Sequence, residues 1–274
     1  MSSLENKTVF ITGGSRGIGL AIALRAARDG ANIVIAAKTD APHPTLPGTI
    51  HSAVEEIEAA GGRGLGIKMD IRDEDKVDSA FKQAADHFGG IDILINNASA
   101  IYLAGTEKAS MKRFDLMHQV NVRGTYLACQ KAYPYLKAGN NPHILTLSPP
   151  LNMKSKWFKD HVAYTISKYG MSMCMLGMAE EFKADGIACN ALWPQTLIYT
   201  AAMKMVGDIK PESCRKEAIV ADAAHVILTH DASDAANTGN FYIDEDVLKG
   251  EGITDLDQYA YDPKGTIIKD LYLD

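Results

Sequence analysis

Two residue patterns in this chain have the types and spacing to do chemistry. The first is Thr12-Gly13-Gly14-Ser15-Arg16-Gly17-Ile18-Gly19, which follows an apolar Val9-Phe10-Ile11 run and opens an alanine-rich stretch. Glycine permits a tight turn and lets backbone approach a pyrophosphate. A helix starting there aims unpaired N–H groups and a partial positive charge at the anion. The glycines alone are weak evidence; their strand–turn–helix setting is what the mechanism requires. The second pattern is a tyrosine four residues before a lysine, which puts both on one helix face. A phenol with a pKa near ~10 is a poor acid–base group until a neighbouring ammonium favours its phenolate. The spacing occurs at Tyr133/Lys137 and again at Tyr164/Lys168, so spacing does not choose between them.

The elements that must position these groups alternate along the chain. Strand-like runs are Val9-Phe10-Ile11, Ile33-Val34-Ile35, Leu65 to Met69, Ile91 to Ile95, Ile144 to Leu147, Ile187 to Leu192 and Phe241-Tyr242-Ile243. Helical patterns lie between them at 18–28, 54–60, 73–88, 110–137, 160–185 and 212–229. Strands apolar at nearly every residue, separated by amphipathic helices, predict a parallel sheet covered on both faces. The expected fold is therefore α/β: a Rossmann-type doubly wound parallel sheet of about seven strands, three layers deep, one domain over 1–274. Reactive groups in such a sheet gather beyond the carboxyl ends of the strands. Tyr133 precedes the fifth strand, near a helix end marked by Gly139, and reads as packing. Tyr164 follows that strand, whose end carries Ser148, and reads as the acid–base residue.

Two segments break the rhythm. Residues 39–51, with Pro42, Pro44, Pro47 and Gly48, read as an inserted loop, and 249–274 as a tail packed on the body or on a partner subunit. Neither carries evident chemistry.

Composition excludes several classes. The 274 residues are 46% hydrophobic and 23% charged with a net charge of −6, so disorder is not expected. A pI near 5.8 argues against nucleic-acid binding. Four scattered cysteines without a CxxC pair suggest neither a disulfide framework nor a zinc site, and a reducing, cytoplasmic setting is expected. Met1 to Lys7 does not read as a signal peptide, and no run approaches the ~20 apolar residues of a membrane span.

The end of the second strand bears on the nucleotide. An NAD site usually places an acid there for the ribose hydroxyls. Here Ile35-Ala36-Ala37-Lys38 has no carboxylate until Asp40. Lys38, with Arg16 from the glycine loop, suits a 2′-phosphate and favours NADP(H) over NAD(H). Asp70, ending the third strand, reads either as an acceptor for the adenine amino group or as a helix N-cap.

With these motifs in place the chain resembles the short-chain dehydrogenase/reductase family over nearly its whole length. Gly13, Gly17 and Gly19, then Asn96-Asn97-Ala98, Asn121 and Tyr164-Thr165-Ile166-Ser167-Lys168 occur in the family's order and approximate spacing. Asn32 to Lys38, Ser148-Pro149-Pro150-Leu151-Asn152 and Leu192-Trp193-Pro194 with Thr196 are most similar to its hydroxysteroid dehydrogenase-like group. Members of that group can bear a sterol-carrier domain and a peroxisomal signal; Tyr272-Leu273-Asp274 matches no such signal, and neither feature is expected.

The resemblance implies roles. Tyr164 would exchange the proton, with its pKa lowered by Lys168 and by an oxidised nicotinamide. Lys168 would also bind the nicotinamide ribose, and Asn121 would help hold a water that relays protons to it. Ser148 would orient the reacting carbonyl, one position earlier than is usual, since Pro149 follows it. Gly13, Gly14, Ser15, Arg16, Gly17, Ile18, Gly19, Lys38, Asp70, Ile71, Asn97, Ala98, Pro194 and Thr196 would line the cofactor with Tyr164 and Lys168. Two departures stand out: Gln195 after Pro194, and Asp244-Glu245-Asp246 after the seventh strand, stand where the family usually has glycine. Three consecutive acids in a loop read as solvated, and no metal is expected.

The function implied is interconversion of an alcohol and a carbonyl with NADP(H). The alternative is an NADP-binding regulatory or scaffold protein of the same fold with little turnover. Residues 196–211, with Met203 and Met205, read as a substrate lid, and Trp157, Phe158 and Trp193 as an aromatic wall for an apolar substrate. A homodimer or homotetramer is implied. The stripe Ala163, Ile166, Met171, Met175, Met178 suits either an interface or burial against the sheet.

Overall fold

The computed structural model describes residues 3–42, 46–203 and 209–274. Seven strands, β1 (Thr8–Thr12), β2 (Asn32–Ala37), β3 (Arg63–Lys68), β4 (Ile93–Asn96), β5 (His143–Thr146), β6 (Ala188–Trp193) and β7 (Phe241–Ile243), form one sheet. All neighbours pair in parallel in the order β3-β2-β1-β4-β5-β6-β7, so the winding reverses between β1 and β4. Such a reversal opens a crevice at the strands' carboxyl ends.

The sheet's two-residue period sends alternate side chains to opposite layers. Val9, Ile11, Ile33, Ile35, Ile93, Ile95 and Leu145 meet α1 (Gly17–Ala27), α2 (Ile50–Ala59), α7 (Ala218–Thr229) and α8 (Asp244–Gly250). Phe10, Val34, Leu94 and Ile144 face the other way, onto α3 (Glu74–Phe88), α5 (Gly124–Lys137) and α6 (Val162–Glu181). The edge strand β3 departs from the expected pattern, because it has one neighbour and its Arg63 and Lys68 face solvent.

The helical stretch expected over 110–137 is one rod with a defect. It comprises α4 (Met111–Met117), a π-helical segment His118–Arg123 and α5. The pattern expected from 212 becomes α7 only at Ala218, after a short turn at Pro211–Ser213.

The acids after β7 are not a solvated loop. They open α8, where Asp244 is fully buried and Glu245 nearly so. Asp244 Oδ1 accepts the N–H groups of Gln195 (2.8 Å) and Glu245 (2.7 Å), and Glu245 pairs with Arg215 (2.9 Å) and Lys249 (2.9 Å). Carboxylates suit the first turn of a helix, where N–H groups lack partners. Among the described residues no group of three His, Cys, Asp or Glu side chains gathers as a metal site.

The tail packs on the body. Tyr272 is completely buried among Trp157, His161, Tyr169 and Trp193, and Asp274 pairs with Lys154 (2.8 Å) and Lys156 (2.8 Å).

Candidate active site

The glycine loop is shaped by close approaches that exclude larger residues. Gly13 and Gly17 have φ of +68° and +56°, a region that disfavours side chains. A methyl on Gly19 would come within 2.5 Å of Asn97 Nδ2 and 2.9 Å of Gly14 Cα. Asn97, just beyond β4, ties the loop down by donating to Thr12 O (3.1 Å) and Gly13 O (2.9 Å). Thr12 Oγ1 accepts from the N–H groups of Asn97 and Ala98, both at 3.1 Å. The two motifs thus meet across the reversal point.

The inserted loop reaches this place as well. Arg16 donates from Nη2 to Gly48 O at 2.9 Å, while its buried Nε has no partner. Residues 43–45 of that loop lie outside the described residues.

Lys38 is exposed and stands 3.8 Å from Asp70 Oδ2. Asp70 is engaged mainly by Arg72, at 2.6 Å, and this hydrogen bond holds its carboxyl down at about 2. It is not the N-cap of α3. Asp73 is, accepting from Lys76 N at 3.2 Å. Arg72, only two positions beyond Asp70, was not singled out in the sequence, where an exposed arginine has no distinguishing pattern.

Beyond β5 the chain is pinned by α6. Lys168 Nζ donates to Leu147 O at 2.6 Å, Ser172 to Pro149 O at 2.6 Å, and the Tyr169 hydroxyl to Asn152 O at 2.6 Å. The Pro149-Pro150 pair supplies no N–H of its own, so side-chain donors hold this segment. Ser148 lies in it, fully buried, with a hydroxyl that finds no partner. Tyr169 and Ser172 escape sequence reasoning because they look like ordinary helix residues.

Tyr164 and Lys168 occupy the same helix and are both buried. Burial pushes the Lys168 ammonium down to about 7, with Asp270 opposing the fall. The expectation that Tyr164 is made more acidic is not met by the chain alone. Burial first, then Tyr272 and Asp270, push its phenol well above its ordinary value. A phenolate taken out of water is costly.

Asn121 lies in the π-helical segment and is wholly buried. Its Oδ1 accepts from Ala100 N at 2.7 Å, and its Nδ2 donates to Ala100 O and Ser167 Oγ, each at 2.9 Å. The side chain therefore clamps the loop after β4 to α6. Tyr133 lies elsewhere, bonded to Asp185 at 2.6 Å beside Lys137, just before β6 begins. It is far from the strands' carboxyl ends, as position in the sequence implied.

Past β6, buried Pro194 leads to Gln195, whose backbone is held by Asp244, and to Thr196, whose buried hydroxyl is also unpartnered. Thr200 lies against Gly17, where an added methyl would stand 3.5 Å from it. Residues 204–208 of the expected lid, Met205 among them, lie outside the described residues. Ile71 is buried and its side chain fills the space beside Gly124. Trp157, Phe158 and Trp193 do form an aromatic group, but Tyr169 and Tyr272 complete it.

The set fits a nicotinamide dinucleotide. The glycine cradle has no room for side chains at Gly13, Gly14 and Gly19, and buried polar atoms of Arg16, Ser148 and Thr196 lack partners beyond the strands' carboxyl ends. Buried polar groups are normally satisfied, so such orphans mark where a ligand supplies the missing bonds.

These features define a class. A model described as short chain dehydrogenase matches residues 7–209, and the chain belongs to that family. It is 59% identical over 272 residues to hydroxysteroid dehydrogenase-like protein 2 of Danio rerio, covering 99% of this chain and 65% of that protein. The protein of the same name from Homo sapiens is also 59% identical, with 99% and 64% covered. The chain thus spans about 65% of the length of these relatives. Among solved structures, a short chain dehydrogenase from Mycobacterium thermoresistibile superposes with a TM-score of 0.94 at 50% identity, covering 99% of this chain and 96% of that one. A short chain dehydrogenase from Mycobacterium paratuberculosis bound to NAD shares the fold, with a TM-score of 0.73 at 22% identity over 88% of this chain and 97% of that one. The chain is an oxidoreductase-family domain with a seven-stranded parallel sheet.

Proposed function

We propose that this chain interconverts an alcohol and a carbonyl with NADP(H), using Tyr164, Lys168, Ser148 and Asn121. The observation that carries the reading is the buried, unpartnered Ser148 hydroxyl, held at the end of β5 by the helix that bears Tyr164 and Lys168. A hydroxyl left without a partner at this point is poised for a substrate oxygen.

In the reductive direction, Tyr164 gives its phenolic proton to the carbonyl oxygen while Ser148 donates a hydrogen bond to the same oxygen. A phenol pushed upward by burial keeps its proton at neutral pH and so begins as a donor. Lys168 then returns a proton to Tyr164, with Asn121 fixing the loop and helix that border the relay. The nicotinamide, when bound, supplies the hydride that completes the alcohol. Gly13 to Gly19 would hold its pyrophosphate, Asn97, Ala98, Pro194 and Thr196 its nicotinamide half, and Asp70 and Ile71 its adenine.

NADP(H) over NAD(H) is supported by exposed Lys38 and by the missing acid at the end of β2. An apolar substrate is supported by the aromatic group of Trp157, Trp193 and Tyr272. Assembly as a homo-oligomer through α5 and α6 is supported by exposed Tyr126, Ile166, Met173 and Leu176. Of the expected stripe, Met171, Met175 and Met178 are buried within the chain. A cytoplasmic location belongs to the same proposal, in keeping with four free cysteines.

The test is NADPH consumption with a panel of carbonyls by wild type and Tyr164→Phe. Loss of a positioned general acid should slow turnover by about 10²- to 10⁴-fold. Equal rates would overturn the mechanism. Tight NADPH binding with no turnover of any carbonyl would favour the scaffold alternative.

A further inference from the structure

The buried Lys168 ammonium stands over an aromatic face that the reaction above does not use. Its Nζ donates to Leu147 O at 2.6 Å and toward Met171 Sδ at 3.4 Å, and it lies 5.1 Å from the centre of the Trp193 ring. The first two partners are neutral acceptors. Among the described residues no carboxylate forms an ion pair with it.

The Trp193 ring is fixed from two sides. Its backbone ends β6 and pairs with Ile243 of β7. Its indole Nε1 donates to Leu271 O at 3.0 Å, and buried Tyr272 packs against it with ring centres 5.8 Å apart. The tail that supplies these contacts is strapped to the chain just beyond β6. Asp270 N donates to Gln195 O (3.0 Å), and Leu197 N donates to Ile268 O (2.9 Å). The strand thus brings the indole to α6, and the tail fixes the rotation of its ring.

An ammonium taken out of water sheds its proton more readily, and burial pushes Lys168 down to about 7. An aromatic face carries negative charge density, and it attracts a cation within about 6 Å of its centre, tryptophan most strongly. The attraction is greatest where water is excluded, and both side chains here are buried. A neutral ring also avoids the desolvation cost of a second buried ion. Of the titratable groups around Lys168, Tyr164 lies one turn earlier on α6 and Asp270 acts on it from the tail. Leu147, at the end of β5, and Trp193, at the end of β6, contribute none. Asp270 is itself pushed up to about 7 by burial, so at neutral pH it is not a full anion.

We propose that Trp193 is a positioning residue for the Tyr164–Lys168 pair, its ring face holding the Lys168 ammonium charged and in place by a cation–π contact that the tail orients. The catalytic consequence rests on the reading of Lys168 as the group that returns a proton to Tyr164; the contact itself does not.

The experiment is an NMR titration of the full chain labelled with ε-¹³C-lysine, the Lys168 signal being assigned by Lys168→Met. Fluorinated tryptophan replaces both indoles, Trp157 and Trp193, at nearly constant shape while drawing negative charge from the ring face. The Lys168 midpoint should fall stepwise from mono- to di- to trifluorotryptophan. The fall over the series should be about one unit, a tenfold loss of protonated lysine at a given pH above the midpoint. Fluorine makes the indole N–H a stronger donor to Leu271 O, so a loosened tail does not explain such a fall. In Trp193→Phe the same labels sit only at Trp157, and the midpoint should not follow them. A midpoint unmoved by fluorination, or one that follows fluorination at Trp157 alone, overturns the proposal. Neither cofactor nor substrate is needed, so failure here is separate from failure of the Tyr164→Phe test. In proteins that turn over, the alkaline limb of kcat for carbonyl reduction should move to lower pH with the Lys168 midpoint. A limb that stays while the midpoint falls overturns the catalytic half.

Discussion

The Trp193 indole N–H donates to Leu271 O at 3.0 Å, joining the last residue of β6 to the chain's final segment. The hydrogen bond spans 78 positions of the sequence and lies beside the fully buried Tyr272. Trp193→Phe, which keeps a ring and loses the donor, should cost about 1 to 2 kcal/mol. Tyr272→Ala, which empties a buried aromatic site, should cost about 3 to 5 kcal/mol. Urea unfolding reads both values, and limited proteolysis should release the tail first in Tyr272→Ala.

Gly19→Ala should abolish dinucleotide binding while leaving the sheet intact. The added methyl collides with Asn97 and with the Gly14 backbone, so the loop must open exactly where the pyrophosphate would lie. Titrating NADPH fluorescence should show an affinity loss well beyond tenfold; unchanged affinity would place the dinucleotide elsewhere.

Lys38→Ala should weaken NADPH about tenfold and leave NADH nearly unaffected, since a single exposed cation–phosphate contact contributes on the order of 1 kcal/mol. Arg72→Ala should act in the same direction, because Arg72 draws Asp70 toward itself and its loss frees that carboxylate to oppose a 2′-phosphate. A ratio of the two affinities unchanged in both variants would remove the basis for the NADP(H) preference.

His143 on β5 makes folding pH-dependent. It is buried, and burial lowers its pKa from 6.5 to about 4. The unfolded chain binds the proton more tightly, so this contribution is complete above about 6.5. It fades as pH falls toward 4, by about 3 kcal/mol in all. Asp29, held down at about 2 chiefly by hydrogen bonds from Leu4, His225 and Arg25, adds a second loss only below 3.8. Urea midpoints between pH 7 and 4.5 should fall in wild type and flatten in His143→Gln.

Much of the fold was legible because its signals are local. Runs apolar at nearly every residue mark strands covered on both faces, and Gly13, Gly17 and Gly19 mark a turn demanded by positive φ at the first two and by close packing at the third. Asn97 could be placed beyond β4 from order alone. The acids after β7 were misread as solvated because nothing local tells a helix opening against Gln195 from a loop in water. Asp270, Tyr272, Ser172 and Tyr169 carried no local signal, being ordinary residues until the chain returns to β5 and β6.

By itself, then, the sequence determined the parallel sheet, the glycine loop and the Tyr164–Lys168 helix face, all set by neighbours within a few residues. The tertiary structure decided the environment of those groups. It buried Tyr164 and Lys168 together, so that burial in the chain alone pushes the phenol upward, and brought Asp270 and Asp244 to either side of Gln195. Charge and solvation depend on everything within several ångströms, and most of that comes from residues distant in the chain.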